Sequence, residues 1–280
     1  MNHYFKKALT GMKGSLRSVS YPLCKKTLKS KTIIACVFST GERTEEHSIA
    51  SVRRQTYPIK RIEIIRDVSP ISSASNQALE LSWDADFILW VDADMILNQN
   101  CAESLLRLMR PNTLYAVAPL IDPVFGNVGY IKLLNNRMVK DLNLYFKDIL
   151  GCDVDFCNQA RKINKDLIIE IYKLPRLPLG IHHPTYTAQE LFRKNQIEKK
   201  KRGNKIHKKL LASLVNQFHK SANPVLLAGI LGELLPNPDT SQGESTPESG
   251  LSHWDTVRTI LGNIPEEITY GFENNKTHPL

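Results

Sequence analysis

The sequence lacks any uninterrupted apolar stretch near the roughly 18 residues of a membrane-spanning helix, so none is expected. Cysteine is scarce: Cys24, Cys36, Cys101, Cys152 and Cys157 are the only five in 280 residues, and no two form a Cys-x-x-Cys pair. That argues against disulfides and zinc and for a reducing compartment. Cys36, inside an apolar run, reads as a small core residue. The N-terminus lacks the apolar central region of a secretory signal, so a cytoplasmic location is expected. No internal repeat is found. Acids are the minority charge, 28 Asp and Glu against 37 Lys and Arg, a net charge of +9. An excess of that sign favours an anionic partner: a nucleotide, a membrane surface or a nucleic acid. The 42% apolar and 23% charged content is ordinary for a chain that folds around a core.

The charge is unevenly placed. Residues 1–31 hold eight Lys or Arg and no acid, and Phe5, Ala8, Leu9, Met12 and Leu16 recur at helical spacing. This arm reads as a basic amphipathic helix able to lie on the inner face of a membrane, or as a disordered leader, or as a transit peptide of similar composition. Residues 193–209 hold nine Lys or Arg and one acid, Glu198, and read first as a solvated helical face. Residues 236–250 are rich in Pro, Ser, Gly and Glu and read as a flexible linker.

Between these flanks the hydrophobic pattern alternates in type. Thr32–Phe38 is an apolar, partly β-branched strand. Thr44, followed by Glu45 and Glu46, starts a helix carrying Ile49 and Val52 inward. Ile62–Ile65 is a second strand, and Ser72 or Ser73 caps a helix through Leu81. Phe87–Val91 is a third strand. Asn98 or Asn100 caps a helix bearing Ala102, Leu105, Leu106 and Met109, and Leu114–Ala118 is a fourth strand. Alternating β and α elements with short connections predict an α/β fold with a mainly parallel sheet. Residues 119–150 read as irregular, then helical near 138–149. A helix opens at Gly151, Ile168–Ile171 is a strand, and Trp254, Val257, Ile260 and Leu261 mark a closing helix.

The chemistry centres on Trp90-Val91-Asp92-Ala93-Asp94. Ligands of open α/β sheets bind at the carboxyl ends of strands, and two carboxylates one residue apart there suit Mg²⁺ or Mn²⁺. A bare Asp-x-Asp is also an ordinary acidic turn.

Further motifs follow in order. Ser51-Val52-Arg53-Arg54-Gln55-Thr56-Tyr57-Pro58 resembles the Ser-Val-x-x-Gln-Thr-Tyr-Pro signature of family 2 glycosyltransferases, which have the GT-A fold. Leu89-Trp90-Val91-Asp92-Ala93-Asp94 is similar to their Asp-x-Asp strand. Gly151-Cys152-Asp153-Val154-Asp155-Phe156 resembles their Gly-Glu-Asp-x-Asp-Phe helix start, and His182-His183 falls where that family often ends its core with a histidine. The resemblance spans roughly residues 32–185. It implies a GT-A-like, Rossmann-type sheet flanked by helices over residues 32–205. A basic arm (1–31) precedes this domain, and a helical C-terminal extension (206–280) follows it.

The resemblance also implies roles. A nucleotide-diphosphate sugar would be the donor, with Mn²⁺ or Mg²⁺ as cofactor, and transfer would proceed with inversion at the anomeric carbon, which calls for a base on the acceptor side. Asp94 would bind the metal, Asp92 the donor ribose or the metal through water, and His183 (or His182) a further metal or diphosphate contact. Asp153 would be the general base, with Asp155 its competitor; the family's first acid is Cys152 here. Thr40, Glu42 and Asp67 would face the nucleotide, although Arg66-Asp67-Val68-Ser69 lacks one acid and the glycine of the family's Asp-Asp-Gly-Ser. The Arg that usually precedes Asn76 is absent, leaving Asn76 a structural helix residue. The acceptor would be a growing surface polysaccharide or a lipid-linked glycan, given the basic flanks.

Two other classes use some of these features. Phosphohydrolases with an aspartyl nucleophile also place Asp-x-Asp after a strand, but want Thr or Val where Ile96 stands. A basic nucleic-acid-binding protein would accept the charge, but no recognised motif accompanies it, so no nucleic-acid partner is expected.

Overall fold

The computed structural model describes residues 31–149, 151–171, 178–203, 205–235, 254–262, 264–265 and 267–271. The amphipathic pattern of the basic arm, Cys24 and the linker near 236–250 lie outside the described residues.

Strand β1 (Ile33–Ser39) is buried along its whole length. Ile33, Ala35 and Val37 enter one apolar cluster, and Ile34, Cys36 and Phe38 another on the opposite face. A strand covered on both faces has no solvent side to make polar, which explains its continuous apolar run. β2 (Ile59–Arg66) and β3 (Phe87–Asp92) flank β1, both parallel to it. The crossovers lie on opposite faces. Helix α1 (Glu45–Arg53) buries Ile49 and Val52 in the first cluster, and α2 (Ile71–Leu81) buries Ala74 and Ala78 in the second.

The Ser51–Pro58 stretch braces this half. Ser51 Oγ accepts from the N–H of Leu97 at 3.0 Å, and the Gln55 amide bridges the carbonyls of Ser51 and Asn98 and the N–H of Ala102. It thereby ties α1 to β4 (Met95–Leu97) and to the start of α3 (Cys101–Leu106).

β5 (Thr113–Asp122) and β6 (Gly126–Asn135) form an antiparallel hairpin. The expected fourth strand is present as β5, but β6 lies between it and β3, pairing antiparallel with both. Residues 126–135, expected to be irregular, are therefore strand. The helix expected near 138–149 is α4 (Asn136–Asp141) alone; Asn143 then takes a positive φ of 49° and Leu144 and Phe146 turn inward. α5 (Cys152–Ile163) follows. β7 (Ile168–Ile171) and β8 (Gly180–His182) run parallel to β5, and β8 takes β4 antiparallel. The eight-stranded sheet has the order β2-β1-β3-β6-β5-β8-β4, with β7 also on β5. Helix-flanked and mixed, it is the expected α/β class.

After β9 (Thr185–Tyr186), helices α6 (Ala188–Lys201), α7 (Lys208–Ser221), α8 (Pro224–Leu234) and α9 (Trp254–Leu261) share a third apolar cluster. α6 starts with a reciprocal cap between Thr187 and Glu190. A Cβ on Gly232 would stand 2.7 Å from the Phe192 carbonyl oxygen, so glycine lets α8 approach α6 closely. The chain returns as β10 (Tyr270–Gly271), antiparallel to β9. Among the described residues no helix is long and apolar enough to cross a membrane.

Candidate functional site

Asp92 ends β3, and Asp94 stands in the turn before β4. Four contacts hold that turn. The Ala93 N–H donates to the Phe38 carbonyl at 2.8 Å, Thr44 Oγ1 to the Ala93 carbonyl at 2.9 Å, and Ser48 Oγ to the Asp92 carbonyl at 3.4 Å; the His183 N–H donates to the Asp94 carbonyl at 2.7 Å. The two carboxylates are thus on rigid backbone. Burial first, then the nearby Asp94 charge, pushes the Asp92 carboxyl up to about 6. Burial also opposes charge on Asp94, but His182, Lys194 and His183 outweigh it and hold that carboxyl below its ordinary value.

Both histidines reach Asp94, by different routes. The β4–β8 pairing sets His182 opposite Met95, and its Nε2 lies 3.4 Å from Asp94 Oδ2. Its Nδ1 lies 3.0 Å from Asp122 Oδ2. His183 has a positive φ of 49°, and its Nδ1 lies 2.9 Å from the Thr185 carbonyl, an acceptor. Its ring stacks on Tyr186 with centroids 3.8 Å apart, and burial lowers its affinity for a proton.

Asp153, in the first turn of α5, receives a hydrogen bond from Lys132 Nζ at 3.0 Å. Burial works against charge on Asp153; the ammonium of Lys132 prevails and holds the carboxyl below its usual range. Lys132 stands on β6 opposite Trp90, on the sheet face of Asp92, and it also feels the Asp92 charge. Asp155 is engaged elsewhere, accepting from Gln159 at 2.7 Å with Lys147 at 3.6 Å. Cys152 is buried. Lys194, on α6, is near enough for its charge to act on Asp92, Asp94 and His183.

The expected nucleotide-facing residues cluster at the ends of β1 and β2. The Glu42 carboxylate accepts from the Thr40 N–H at 2.8 Å, Thr40 Oγ1 at 2.9 Å and Ser39 Oγ at 2.9 Å. Asp67, with φ 53°, donates its N–H to the Ser39 carbonyl at 2.9 Å. Because Phe38 is paired with Asp92, and Ser39 with Arg66, these residues and Asp92 share one edge of the parallel strands. A cavity of about 560 Å³ lies elsewhere, against Phe87 at the start of β3 and Asn135 at the end of β6. It contains none of these groups.

The sequence does not single out Ser39, Asp122, Lys132 or Tyr186, and it offers Lys194 only as one of the nine cations of the basic run at 193–209. Lys132 had one signal: a lone charge within Tyr-Ile-Lys-Leu-Leu. Asp122 and Tyr186 had none, since their partners lie 60 and 64 residues away.

Among the described residues no three or more His, Cys, Asp or Glu side chains converge as a metal cluster. A smaller donor set fits a hard divalent cation. Asp94 Oδ1 is buried without a hydrogen-bond partner, and His182 Nε2 faces the same carboxylate. One oxygen and one nitrogen ligand are consistent with Mg²⁺ or Mn²⁺ when substrate phosphates and water complete the shell.

No protein-family model and no curated protein matches the sequence. Solved structures similar in fold include the mannosyltransferase PcManGT from Pyrobaculum calidifontis in complex with GDP-Man and Mn²⁺ (11% identity, 95% of this chain and 84% of that one, TM-score 0.48). Residues 1–349 of TarS from S. aureus in complex with UDP are another (11% identity, 71% and 70%, TM-score 0.43). A third is glucosyl-3-phosphoglycerate synthase from Mycobacterium tuberculosis with Mg²⁺ and UDP (12% identity, 66% and 85%, TM-score 0.43).

Proposed function

We propose that this chain is a glycosyltransferase that moves a sugar from a nucleotide-diphosphate donor to an acceptor hydroxyl with inversion. The observation that carries this is the placement of two separated acidic centres around one sheet end: Asp92 and Asp94 with His182 and Lys194 on one side, and Asp153 across Lys132 on the other.

Thr40, Glu42 and Asp67 face the nucleoside, and Asp92 holds the ribose. Asp94, with His182 or His183, holds the metal. Mn²⁺ or Mg²⁺ bound there supplies Lewis-acid stabilisation of the charge on the leaving diphosphate. Lys194 adds positive charge on the same side. Asp153, kept ionised by Lys132, accepts the acceptor hydroxyl's proton as the new bond to the anomeric carbon forms. Residues 32–205 form the transferase domain, with 206–280 as its helical extension. The acceptor is a surface polysaccharide or lipid-linked glycan, met at the inner face of the membrane through the basic arm at 1–31.

The test is a panel of nucleotide sugars with Mn²⁺ or Mg²⁺, scored by thermal stabilisation and by metal-dependent donor hydrolysis. One donor should stabilise the protein only with metal present. No shift with any donor, together with salt-sensitive binding to DNA, would instead support the nucleic-acid reading.

A further inference from the structure

We propose that Asp122 and Tyr186 are positioning residues that fix the His182 ring for metal binding, an inference that rests on the glycosyltransferase reading. The Asp122 side chain is fully buried and its hydrogen bonds run to both oxygens. Oδ1 accepts from the N–H groups of Val124 at 2.8 Å and Phe125 at 2.9 Å. Oδ2 accepts from Tyr186 Oη at 2.6 Å and meets His182 Nδ1 at 3.0 Å. A carboxylate offers only acceptors, so Nδ1 carries a proton toward Asp122, and Nε2 is the nitrogen left to a metal, which would displace any proton held there. Nε2 lies 3.4 Å from Asp94 Oδ2, and the other oxygen of that carboxylate has no partner.

A carboxylate behind a histidine fixes the tautomer and ring angle of a metal ligand and raises its basicity. Tyr186 holds the carboxylate in turn. It is fully buried, its ring stacks on His183 and meets Phe125 edge-on, and its backbone pairs with Tyr270 on β10. One residue therefore links the C-terminal return of the chain to both site histidines. The same placement assigns His182 the nitrogen ligand, because its Nε2 approaches Asp94 Oδ2 at 3.4 Å.

The test is Mn²⁺ binding to the full chain, read as loss of the free-ion signal in electron paramagnetic resonance. Nitrogen-15 NMR of the imidazoles, without metal, reads the tautomer. The wild-type chain should show His182 protonated at Nδ1. Tyr186→Phe should weaken Mn²⁺ about tenfold and Asp122→Asn up to about a hundredfold, with an altered His182 tautomer balance in the second. A purely structural role would lower thermal stability and leave the Mn²⁺ affinity of the folded protein and the tautomer unchanged, which overturns the proposal. If Asp122→Asn does not fold, Tyr186→Phe decides, since it removes one hydroxyl from an otherwise identical ring. Wild-type protein that binds no more Mn²⁺ than Asp94→Ala overturns the metal-dependent reading itself, and this inference with it. Wild-type binding with both variants equal to it overturns only the positioning role.

Discussion

Lys132 Nζ lies 3.0 Å from Asp153 Oδ2, and the same ammonium feels the charge of Asp92. One half-buried cation on β6 thus stands between the carboxylate assigned to the donor and the one assigned to the acceptor. Lys132→Met should remove the charge while keeping most of the side chain's volume. Asp153 would then lose the partner that outweighs its burial, and its affinity for a proton would rise. A base must be unprotonated to act, so the acidic limb of the pH profile for transfer should move to higher pH. At neutral pH the rate should fall by about tenfold, less than the roughly 10²–10⁴-fold a general base contributes, because the base itself remains. An unmoved acidic limb would separate Lys132 from the base.

The choice between Asp153 and Asp155 follows from their partners. Asp155 is held by Gln159 and Lys147, away from Lys132. Asp153→Asn should keep metal-dependent donor binding and lose about 10²–10⁴-fold in transfer. Asp155→Asn should cost far less. Single-turnover kinetics with saturating donor would show it, and the reverse order would move the base to Asp155.

Lys194 has a different expected signature. Its charge acts on the acidic pair from α6, outside the sheet, and in the proposed transferase it would help neutralise the diphosphate. Lys194→Ala should raise the donor KM and lower kcat, because the diphosphate carries charge in both the bound and the leaving state. Lys208→Ala, at the start of α7, should change neither by more than about twofold, as expected where an exposed charge contributes little. Equal effects at the two positions would reduce the role of Lys194 to general surface charge.

The legible parts of the chain were those whose constraint is local or doubly buried. β1 and β3 are apolar on both faces, so their runs are continuous and easily read. The Asp-x-Asp turn was visible because it directly follows such a run. β6 was not legible: Gly126, Gly129, Lys132 and Asn135 interrupt its pattern, and its strand state comes from pairing with β3 and β5 on its two sides. The helix expected through 149 failed for a similar reason. Asn76 binds both the N–H and the carbonyl of Phe146 at 2.8 Å, holding that segment out of a helix, while the Phe146 ring stacks on Phe156. Asn76 is thus structural, as its sequence context implied. The approach of His182 to Asp94 comes from register: β8 pairs Met95 with His182, and a shift of one residue would exchange the faces.

The helical extension contains a buried ion pair whose loss should be costly. Glu233 on α8 is fully buried, and one guanidinium nitrogen of Arg202 donates to both its oxygens at 2.9 and 2.7 Å. The His207 N–H donates to the same carboxylate. Glu233→Ala would leave the Arg202 guanidinium, itself mostly buried, and that N–H without their acceptor. Breaking one side of such a pair costs about 3–5 kcal/mol, because the remaining charge stays desolvated. Replacing both partners, Glu233→Leu with Arg202→Met, removes the stranded charge and should restore much of that loss. Urea unfolding of the two single variants and the double variant measures the coupling. If the double variant is as unstable as the sum of the singles, the pair contributes no coupling and the cost lies in packing alone. Because Arg202 directly follows α6, which carries Lys194 and Glu190, the pair also anchors the helix that faces the acidic centre.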